Sequence, residues 1–483
     1  MKMMKKYVSV ILSVLTVFTC AVSVCPLQGF ASTTDTCSYI SYNKKLYDNN
    51  KELCDAIAEG IKNRETEISL KDFSLKNEDA AYIIKTVVRK HPEFFYVDTT
   101  KFMVGSDGTY IKAVHPFYLY DNTVIVEKFN LFNSRVEKYI SKIDSSMSDF
   151  EKAVILHDEL ILNCRYYDED STKSITAYEC LVNGKANCQG YAQAYSYLLS
   201  LVGVKSEIVE SSSMFHMWNK VCIDGVYYNI DLTWDDSLID KSGHVGHKYF
   251  LLSDEAISSG TDEISAHYGF DYAYYKSDNE KYDNYSFREF NTKFCFINGD
   301  CYVINNTYGS ATEKCMLKYD YKTDTSVTME KFDFKWMSGE TSYWIGGYMS
   351  LDEYNGYLYY NSDDKIYIYD IESKSEELFG EVDTQDGDCY GLRIIDGCVY
   401  AVVSESPNID STLQLIGDCR EDILLGDVNF DGSIKITDVT LIQKYAVGIE
   451  SLTNEQLLRA DFDGNTVINV KDATEIQKYL VNI

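Results

Sequence analysis

The 483-residue sequence predicts a multidomain α+β protein, and three observations lead to this prediction. The chain is too long for one hydrophobic core, so three or four domains are expected. Residues 32–277 mix helical and strand periodicities, whereas residues 286–417 alternate apolar and polar side chains without a long helical period. Residues 423–483 repeat a loop followed by a helix. We therefore expect an α+β amino-terminal part, an all-β module and a small all-α unit.

Residues 1–31 have the features of a secretory signal peptide. Three lysines precede an apolar run at 7–24, and small residues stand at minus three and minus one of an expected cleavage after Ala31. A lipoprotein signal would use Cys20 or Cys25, but the neighbours of both fit a lipobox poorly. No other apolar stretch approaches the roughly 20 residues that span a bilayer. We expect a secreted, extracellular protein without a membrane span.

Charge and cysteine spacing argue against two classes of function. The net charge is −30, or −33 without the three signal-peptide lysines, and such a surface repels nucleic acid and anionic membranes. The fourteen cysteines include two in the signal segment, and none of them form a CxxC pair, so a zinc site is not expected. Disulfides are possible in an exported chain, but the spacing assigns none.

Residues 32–148 are expected to pack on the catalytic core and contain no catalytic set of their own. Periodicity predicts helices at 46–61 and 77–88, and strands at 94–97, 110–114 and 122–126. His91 and His115 lie beside prolines in loops, and we interpret both as structural.

The candidate catalytic residues lie in the region 149–277, which begins with helices expected at 150–164 and 176–182. His157, on the first of these helices, is interpreted as a partly buried structural histidine. From Cys188 onward, apolar residues recur every three or four positions until Gly203, which predicts a helix that starts at the cysteine. The N–H groups at a helix N-terminus favour a thiolate. Cys188 is therefore the candidate nucleophile, and its backbone N–H is one expected oxyanion donor.

The candidate base follows on a predicted hairpin. Segments 215–223 and 226–234 flank Asp224-Gly225, a dipeptide suited to a two-residue type I′ turn. Because strand side chains alternate, this register places four side chains on one face: His216, Trp218, Asp231 and Thr233. His216 and Asp231 are then diagonal neighbours, with backbones about 7 to 8 Å apart. A cysteine with a histidine held by an aspartate is the usual arrangement that activates a thiol for acyl transfer.

Three blocks of this region resemble the signature blocks of the transglutaminase-like (papain-like) superfamily. They are NCQGYA at 187–192, HMWN at 216–219 and DLTWD at 231–235, within a resemblance that covers about residues 149–275; YFLLSD at 249–254 also resembles bacterial members. The resemblance implies a papain-like core with Cys188 as nucleophile, His216 as base and acid, and Asp231 as orienting carboxylate. Asn187 departs from the Val, Ala or Ser of many members. The cleft candidates are Tyr167, Gln189, Trp218 and Trp234.

A second histidine group could be interpreted as a metal site. His244 and His247 lie near three acidic residues, Asp235, Asp236 and Asp240. The spacing of Gly243 and Gly246 is more typical of a surface loop, so no catalytic metal or other catalytic cofactor is expected.

Residues 286–417 form the predicted all-β module, after a polar stretch at 278–288 that is expected to be a linker. Three dipeptides lie between strand-like runs as hairpin turns: Asn298-Gly299, Asn355-Gly356 and Asp396-Gly397. Their separations of 57 and 41 residues suggest degenerate propeller-like blades, although three units are too few for an ordinary closed propeller. Trp336 and Trp344 could bind carbohydrate or peptide, but core packing is the favoured interpretation.

The last region, 423–483, contains an internal repeat with an offset of 34 residues. DVNFDGSIKITDVTLIQKY from Asp427 aligns with DFDGNTVINVKDATEIQKY from Asp461. Each copy opens with a twelve-residue loop of the calcium type, with ligands at positions one, three, five, seven and twelve. The predicted ligands are Asp427, Asn429, Asp431, Ser433 and Asp438 in the first loop, and Asp461, Asp463, Asn465, Val467 and Asp472 in the second.

This duplicated loop-helix unit resembles a type I-like dockerin, whose partner is the cohesin domain of a scaffold protein. The resemblance covers residues 425–483 and implies two structural Ca²⁺ ions. Position six is Gly432 in the first loop but Thr466 in the second, where a positive φ would cost ~1 kcal/mol and weaken the site. The implied cohesin-binding residues are Ile436, Thr437, Gln443 and Lys444, with Val470, Lys471, Gln477 and Lys478 in the second repeat.

The sequence thus predicts a secreted thiol enzyme, tethered to an extracellular scaffold such as a cellulosome, that acts on carboxamide or peptide bonds of a protein or peptide substrate. A cysteine peptidase or amidase would use the same triad as an acyltransferase and would differ only in the bond cleaved and the acceptor. A different class is a catalytically silent binding module that works through the Tyr-rich β region. The intact Cys, His and Asp favour the enzyme.

Overall fold

The structure is a computed structural model that describes residues 48–168, 175–236, 243–260, 265–270, 273, 275–305, 314–337, 342–385, 387–406, 411–420, 425–429 and 433–481. The chain divides into two compact units, Met1–Gly417 and Asp418–Ile483. The expected signal peptide, Asp240, Asp431 and Gly432 lie outside the described residues. Within the described ranges, no helix is both long and apolar enough to cross a membrane.

The α-helices, numbered along the chain, are α1 (Lys51–Lys62), α2 (Ala80–Lys90), α3 (Asn122–Ile140), α4 (Asp149–Asn163), α5 (Cys188–Leu201), α6 (Leu232–Asp235), α7 (Asp254–Ser259), α8 (Ile436–Ala446), α9 (Asn454–Ala460) and α10 (Val470–Leu480). Tighter or wider helical turns occur at Pro92–Phe94, Glu179–Asn183 and Ser286–Glu289. The predicted helices at 46–61, 77–88 and 150–164 therefore form, with shifted ends.

The strands of the first part are β1 (Ile68–Ser69), β2 (Val97–Ser106), β3 (Ile111–Tyr118), β4 (Arg165–Tyr166), β5 (Lys185–Ala186), β6 (Ser206–Ser211), β7 (His216–Ile223) and β8 (Val226–Ile230). The later strands are β9 (Cys295–Ile297), β10 (Asp300–Asn305), β11 (Lys314–Asp320), β12 (Thr325–Phe332), β13 (Lys335–Met337), β14 (Tyr343–Ile345), β15 (Leu351–Tyr354), β16 (Tyr357–Asn361), β17 (Lys365–Asp370), β18 (Ser375–Glu381), β19 (Asp388–Ile395), β20 (Cys398–Ser404) and β21 (Thr412–Asp418).

The sheets are small. The amino-terminal region holds the order β1-β3-β2, and the region of the candidate site holds β6-β7-β8 and the pair β4-β5. The β-rich region consists of β12-β11-β10-β9, β15-β16-β17-β18, β19-β20-β21 and the pair β13-β14. The predicted turns at Asn298, Asn355 and Asp396 join the first two strands of the three larger sheets, and each has a positive φ near 50° followed by glycine. A propeller-like arrangement of these sheets remains a prediction.

One predicted strand was wrong. Residues 122–126 begin helix α3, because Asp121 is an N-cap whose side chain accepts a hydrogen bond from Val124 N at 3.0 Å. The β-branched residues at its start imitate a strand, but the buried side chains recur at helical spacing: Ile125, Phe132, Val136 and Tyr139. Residues 94–97 also differ, since Phe94 ends a short helical turn and the strand starts only at Val97.

The expected linker at 278–288 is packed against the helical core. Tyr282 and Phe287 are buried, and the Arg288 guanidinium donates hydrogen bonds to the backbone oxygens of Tyr282, Lys248, Phe250 and Leu251. The charged residues between these aromatic side chains gave the stretch a linker-like composition. The aromatic side chains, which join the large hydrophobic core, decide its structure instead.

Buried polar contacts also attach the β-rich region to helix α4. The Lys293 ammonium lies 2.9 Å from Glu159 Oε1 and 2.5 Å from Asp352 Oδ1, and all three side chains are nearly buried. Burial raises the pKa of Glu159, but Lys293 and Lys142 outweigh it and hold that pKa at about 2. Phe294 N donates to Asp158 Oδ2 at 2.9 Å. Asp158 and Glu159 therefore join helix α4 to the β-rich region.

Candidate active site

Helix α5 begins at Cys188 because Asn187 caps it. The Asn187 backbone is extended, and its side-chain oxygen accepts hydrogen bonds from Gln189 N at 3.1 Å and Gly190 N at 3.3 Å. This is an N-cap arrangement, which explains the polar residue before the cysteine. The cap binds the next two amides rather than that of Cys188. The Cys188 thiol, 9% exposed, thus lies at the positive end of the helix dipole.

The predicted hairpin register is confirmed. Ile223 pairs with Val226, and Asp224 and Gly225 have φ values of 50° and 85°, as a type I′ turn requires. Strand β8 ends one residue before Asp231, which becomes the N-cap of the short helix α6. The expectation that Thr233 continues the strand face was therefore wrong.

Asp231 brings the imidazole and the short helix together. His216 Nε2 donates to Asp231 Oδ2 at 2.5 Å. The other oxygen, Oδ1, accepts from Thr233 N at 3.1 Å, from the Thr233 hydroxyl at 2.5 Å and from Trp234 N at 3.4 Å. Helix capping and hydrogen bonding to the imidazole thus use the two oxygens of one buried carboxylate.

The electrostatics favour a charged His216. Burial lowers the pKa of the imidazole, but the Asp231 carboxylate and hydrogen bonds with Asp231 and Cys188 outweigh it and raise the pKa from 6.5 to about 10. Burial alone would raise the pKa of Asp231, yet His216 and His267 hold it well below its usual range.

His267 is a site residue that the sequence reasoning missed. Its Nε2 lies 2.9 Å from Asp231 Oδ2, the same oxygen that His216 binds, and its Nδ1 lies 3.2 Å from Ser265 O. The side chain is fully buried. It lies in an irregular segment 36 residues after Asp231, where neither a periodic pattern nor a motif marks it.

The cleft candidates occupy different positions around His216. Trp218 is 1% exposed, donates from Nε1 to Asn229 Oδ1 at 3.0 Å and stacks on the His216 ring, so it supports that ring from the interior and lines no open cleft. Trp234 is half-buried, with its ring 5.3 Å from that of His216. Tyr167 and Gln189 are also half-buried. Phe215, just before His216, is 89% exposed and has a positive φ of 52°.

A second buried cluster fixes the other end of helix α6. His157 Nδ1 lies 2.8 Å from Asp158 Oδ1, and its Nε2 lies 3.2 Å from Asp235 Oδ2. Burial lowers the pKa of His157, but these two carboxylates outweigh it and raise the pKa to about 9. The structural interpretation of His157 is thus supported, although the side chain is completely rather than partly buried.

His244 and His247, which could be interpreted as a metal pair in the sequence, bond different partners among the described residues. His247 bonds Asp158 Oδ1 and Phe290 O, whereas His244 bonds Tyr390 O. Two buried groups do hold potential ligand atoms within 4.8 Å of one another: His157, Asp158 and His247, and His216, Asp231 and His267. In both groups the same atoms already bond one another.

The second loop of the carboxy-terminal unit fits a cation. Potential ligand oxygens of Asp461, Asp463 and Asp472 lie within 4.8 Å of one another. Asp461 Oδ1 is buried and has no hydrogen-bond partner among the described residues, as expected of an oxygen reserved for an ion. In the first loop Asp427 and Asp438 are buried. Oxygen donors of this kind suit Ca²⁺.

Two further predictions for this unit can be compared with its geometry. Thr466 has a φ of 67°, the positive value that was expected to weaken the second loop. All eight implied cohesin-binding side chains are exposed: Ile436, Thr437, Gln443, Lys444, Val470, Lys471, Gln477 and Lys478. Their contact with a cohesin stays a prediction.

Comparison with known proteins gives two family matches. The model of the transglutaminase-like superfamily matches residues 137–232, and that of the dockerin type I domain matches residues 425–481. No curated protein matches this chain.

Similar solved structures include "Crystal structure of a TGase", 12% identical over 33% of this chain and 48% of that one, with a TM-score of 0.20. Another is a putative protease from Parabacteroides distasonis ATCC 8503, 16% identical over 28% and 39%, with a TM-score of 0.16. This chain spans less than half the length of either. On the family matches, the chain contains a transglutaminase-like domain and a carboxy-terminal type I dockerin domain.

Proposed function

We propose that this protein is a secreted thiol enzyme, tethered to a scaffold, that performs acyl transfer or hydrolysis at carboxamide or peptide bonds. The two family matches indicate a cysteine-type enzyme superfamily and an extracellular, cellulosome-type complex. The observation that carries the proposal is the hydrogen bond between the His216 imidazole and the buried Asp231 carboxylate, together with the contribution of the Cys188 side chain to the raised pKa of that imidazole.

The chemistry follows from which atom each residue presents. Because His216 Nε2 bonds Asp231, its Nδ1 is the nitrogen available to the Cys188 thiol. The thiolate attacks the carbonyl carbon, and the Cys188 backbone N–H donates to the developing oxyanion. His216 Nδ1–H then protonates the leaving amine. A thioester remains on Cys188 until water or an amine, deprotonated by His216, attacks it.

The dockerin supplies attachment rather than chemistry. Type I dockerin domains bind Ca²⁺ as a structural ion, and a dockerin implies a cohesin partner. We propose that each loop holds one ion through its carboxylate, amide and backbone oxygens, from Asp427, Asn429, Asp431, Ser433 and Asp438, and from Asp461, Asp463, Asn465, Val467 and Asp472. The ion would offset the repulsion of these acidic groups and stabilise the helices that carry the cohesin-binding residues.

A binding module without catalysis is the alternative function, and one feature of the β-rich region favours it. Strands β13 and β14 expose Met337, Tyr343 and Trp344, which are 54%, 48% and 40% exposed. Exposed aromatic side chains of this kind bind carbohydrate or peptide in many proteins. Trp336, in contrast, is 1% exposed and donates to Cys389 O at 2.7 Å, so it belongs to the core.

Mass spectrometry of a mixed protein substrate, incubated with the full chain and a labelled primary amine, tests the proposal. Label on glutamine side chains establishes acyl transfer to amines, and new peptide termini or unlabelled deamidation establish hydrolysis. Both must disappear in Cys188→Ala and persist in Cys222→Ala, a matched change at a half-buried thiol outside the site. A folded protein without any Cys188-dependent product would leave the binding module as the function.

A further inference from the structure

We propose that His267 is a positioning residue of the thiol site, whose Nε2–H holds the Asp231 carboxylate where it can orient His216. The inference rests on the proposed function, because it assigns a role to a residue within the same site. His267 is fully buried and contacts Asp231 in the interior. It would act through Asp231 and His216 on the reactivity of Cys188.

The geometry of Asp231 makes the role of His267 specific. The Oδ1 atom accepts from the backbone and hydroxyl of Thr233 and from Trp234 N, which ties that oxygen to helix α6. Among the described residues, the Oδ2 atom accepts from two groups, His216 Nε2 at 2.5 Å and His267 Nε2 at 2.9 Å. His267 is therefore the fixed donor that keeps Oδ2 in place when His216 changes its proton or its contact with Cys188.

His267 is itself held rigidly. Its ring centroid lies 4.1 Å from that of Trp234, 4.9 Å from Trp218 and 5.7 Å from Tyr249. Ser265 O lies 3.2 Å from its Nδ1, and the Tyr249 hydroxyl accepts from Ser265 N at 2.8 Å. The ring thus has one orientation, in which Nε2 points at the carboxylate.

Packing alone does not account for a histidine at this position. Its ring packs against the rings of Trp218, Trp234 and Tyr249, against which an apolar side chain would pack without the cost of burying polar nitrogens. The polar ring is compensated by its bond to Asp231. Among the described residues, the titratable groups near this part of the site include Cys188, Tyr166 and Asp168 from the side of the nucleophile, and Tyr249 and Asp235 from the side of His267.

Alkylation of Cys188 by iodoacetamide tests the proposal without a natural substrate. The rate is measured from pH 5 to 9 on the full chain by site-resolved mass spectrometry, for wild type, His267→Leu and His267→Gln. In wild type, Cys188 should react faster than the half-buried Cys222 at neutral pH. His267→Leu should slow the alkylation of Cys188 about tenfold or more, because a hydrogen bond to a charged group is lost. The pH profile of this alkylation should shift towards that of an ordinary thiol. His267→Gln should restore most of the rate, since its amide can donate near the Nε2 position.

The other cysteines report folding in the same experiment. Cys295 and Cys301 are buried and must stay unreactive in every variant that is compared. If His267→Leu exposes them, His267→Asn takes its place, because its shorter amide does not reach Asp231.

If the folded His267→Leu and His267→Gln variants both keep the wild-type profile, the proposed role of His267 is overturned and the proposed function is unaffected. Equal slowing of Cys188 alkylation in both variants would assign the effect of His267 to packing, and this result would also overturn its proposed role. A wild-type Cys188 that reacts no faster than Cys222 would contradict thiol activation itself, and with it the proposed function.

Discussion

Asp231 is the residue on which the candidate site depends most, because its two oxygens serve different elements. One oxygen caps helix α6, and the other accepts hydrogen bonds from two histidines. A neutral amide at this position could still cap the helix. It could not stabilise an imidazolium, so the chemistry and the local fold respond to different properties of the same side chain.

Asp231→Asn should therefore inactivate the site more than it unfolds the protein. Without the carboxylate, His216 loses the neighbouring negative charge that raises its pKa to about 10. The imidazolium is then no longer favoured at neutral pH. We expect Cys188 alkylation at pH 7 to fall at least about tenfold, since one unit of pKa is a tenfold change. Unchanged alkylation in a folded variant would show that Asp231 does not orient His216.

At the scale of elements, the two loops of the dockerin differ at the residue where each loop turns. The second calcium loop has a strained residue at its turn, since Thr466 adopts a φ of 67° where the first loop has glycine in sequence. Thr466→Gly should stabilise this loop by ~1 kcal/mol and tighten its Ca²⁺ binding severalfold. Thr466→Ala keeps a Cβ atom and should give no such gain. Calorimetric Ca²⁺ titration of the two variants measures the difference, and equal affinities would refute the strain.

Helices α4 and α6 are joined by the contacts of His157 with Asp158 and Asp235, and the raised pKa of this histidine makes their stability depend on pH. The pKa of His157 is about 9 in the folded protein and 6.5 ordinarily. Its contribution is therefore fully present below pH 6.5 and is lost as the pH rises through about 9. By this shift the contribution is on the order of 3 kcal/mol. Urea unfolding should show a larger loss for His157→Gln at pH 6 than at pH 10. Equal losses at the two pH values would exclude a buried imidazolium.

At the scale of the whole molecule, the β-rich region and the transglutaminase-like domain belong to one compact unit. Lys293→Met should destabilise that unit by about 3 to 5 kcal/mol, because Glu159 and Asp352 would be left buried without their shared cation. Lys318→Met removes the partner of Asp300 from an exposed pair and should change stability little. Thermal unfolding compares the two. If both regions unfold together at a lower temperature in Lys293→Met, the Lys293 ion pairs join the two regions. Unfolding of the β-rich region alone would contradict this prediction.

Sequence reasoning recovered those features whose cause is local. The start of helix α5 at Cys188 and the register of the hairpin around Asp224 follow from short-range spacing and turn chemistry. The dockerin repeat follows from a fixed pattern of oxygen donors, whose binding of Ca²⁺ stays a prediction. His267 could not be found in this way, because its relation to Asp231 is created by tertiary packing. The helix at 122–126 and the packed segment at 278–288 were misjudged because composition outweighed capping and aromatic burial.

The most direct test of the central claim is whether Cys188 carries an acyl group during turnover. The full chain is mixed with p-nitrophenyl acetate at neutral pH, quenched in acid and digested, and the acetylated residue is located by mass spectrometry. We predict a thioester on Cys188 that forms in wild type, forms more slowly in Asp231→Asn and is absent in Cys188→Ala. Acetylation that is spread over other thiols, or no faster at Cys188 than at Cys222, would contradict the assignment of Cys188 as the nucleophile.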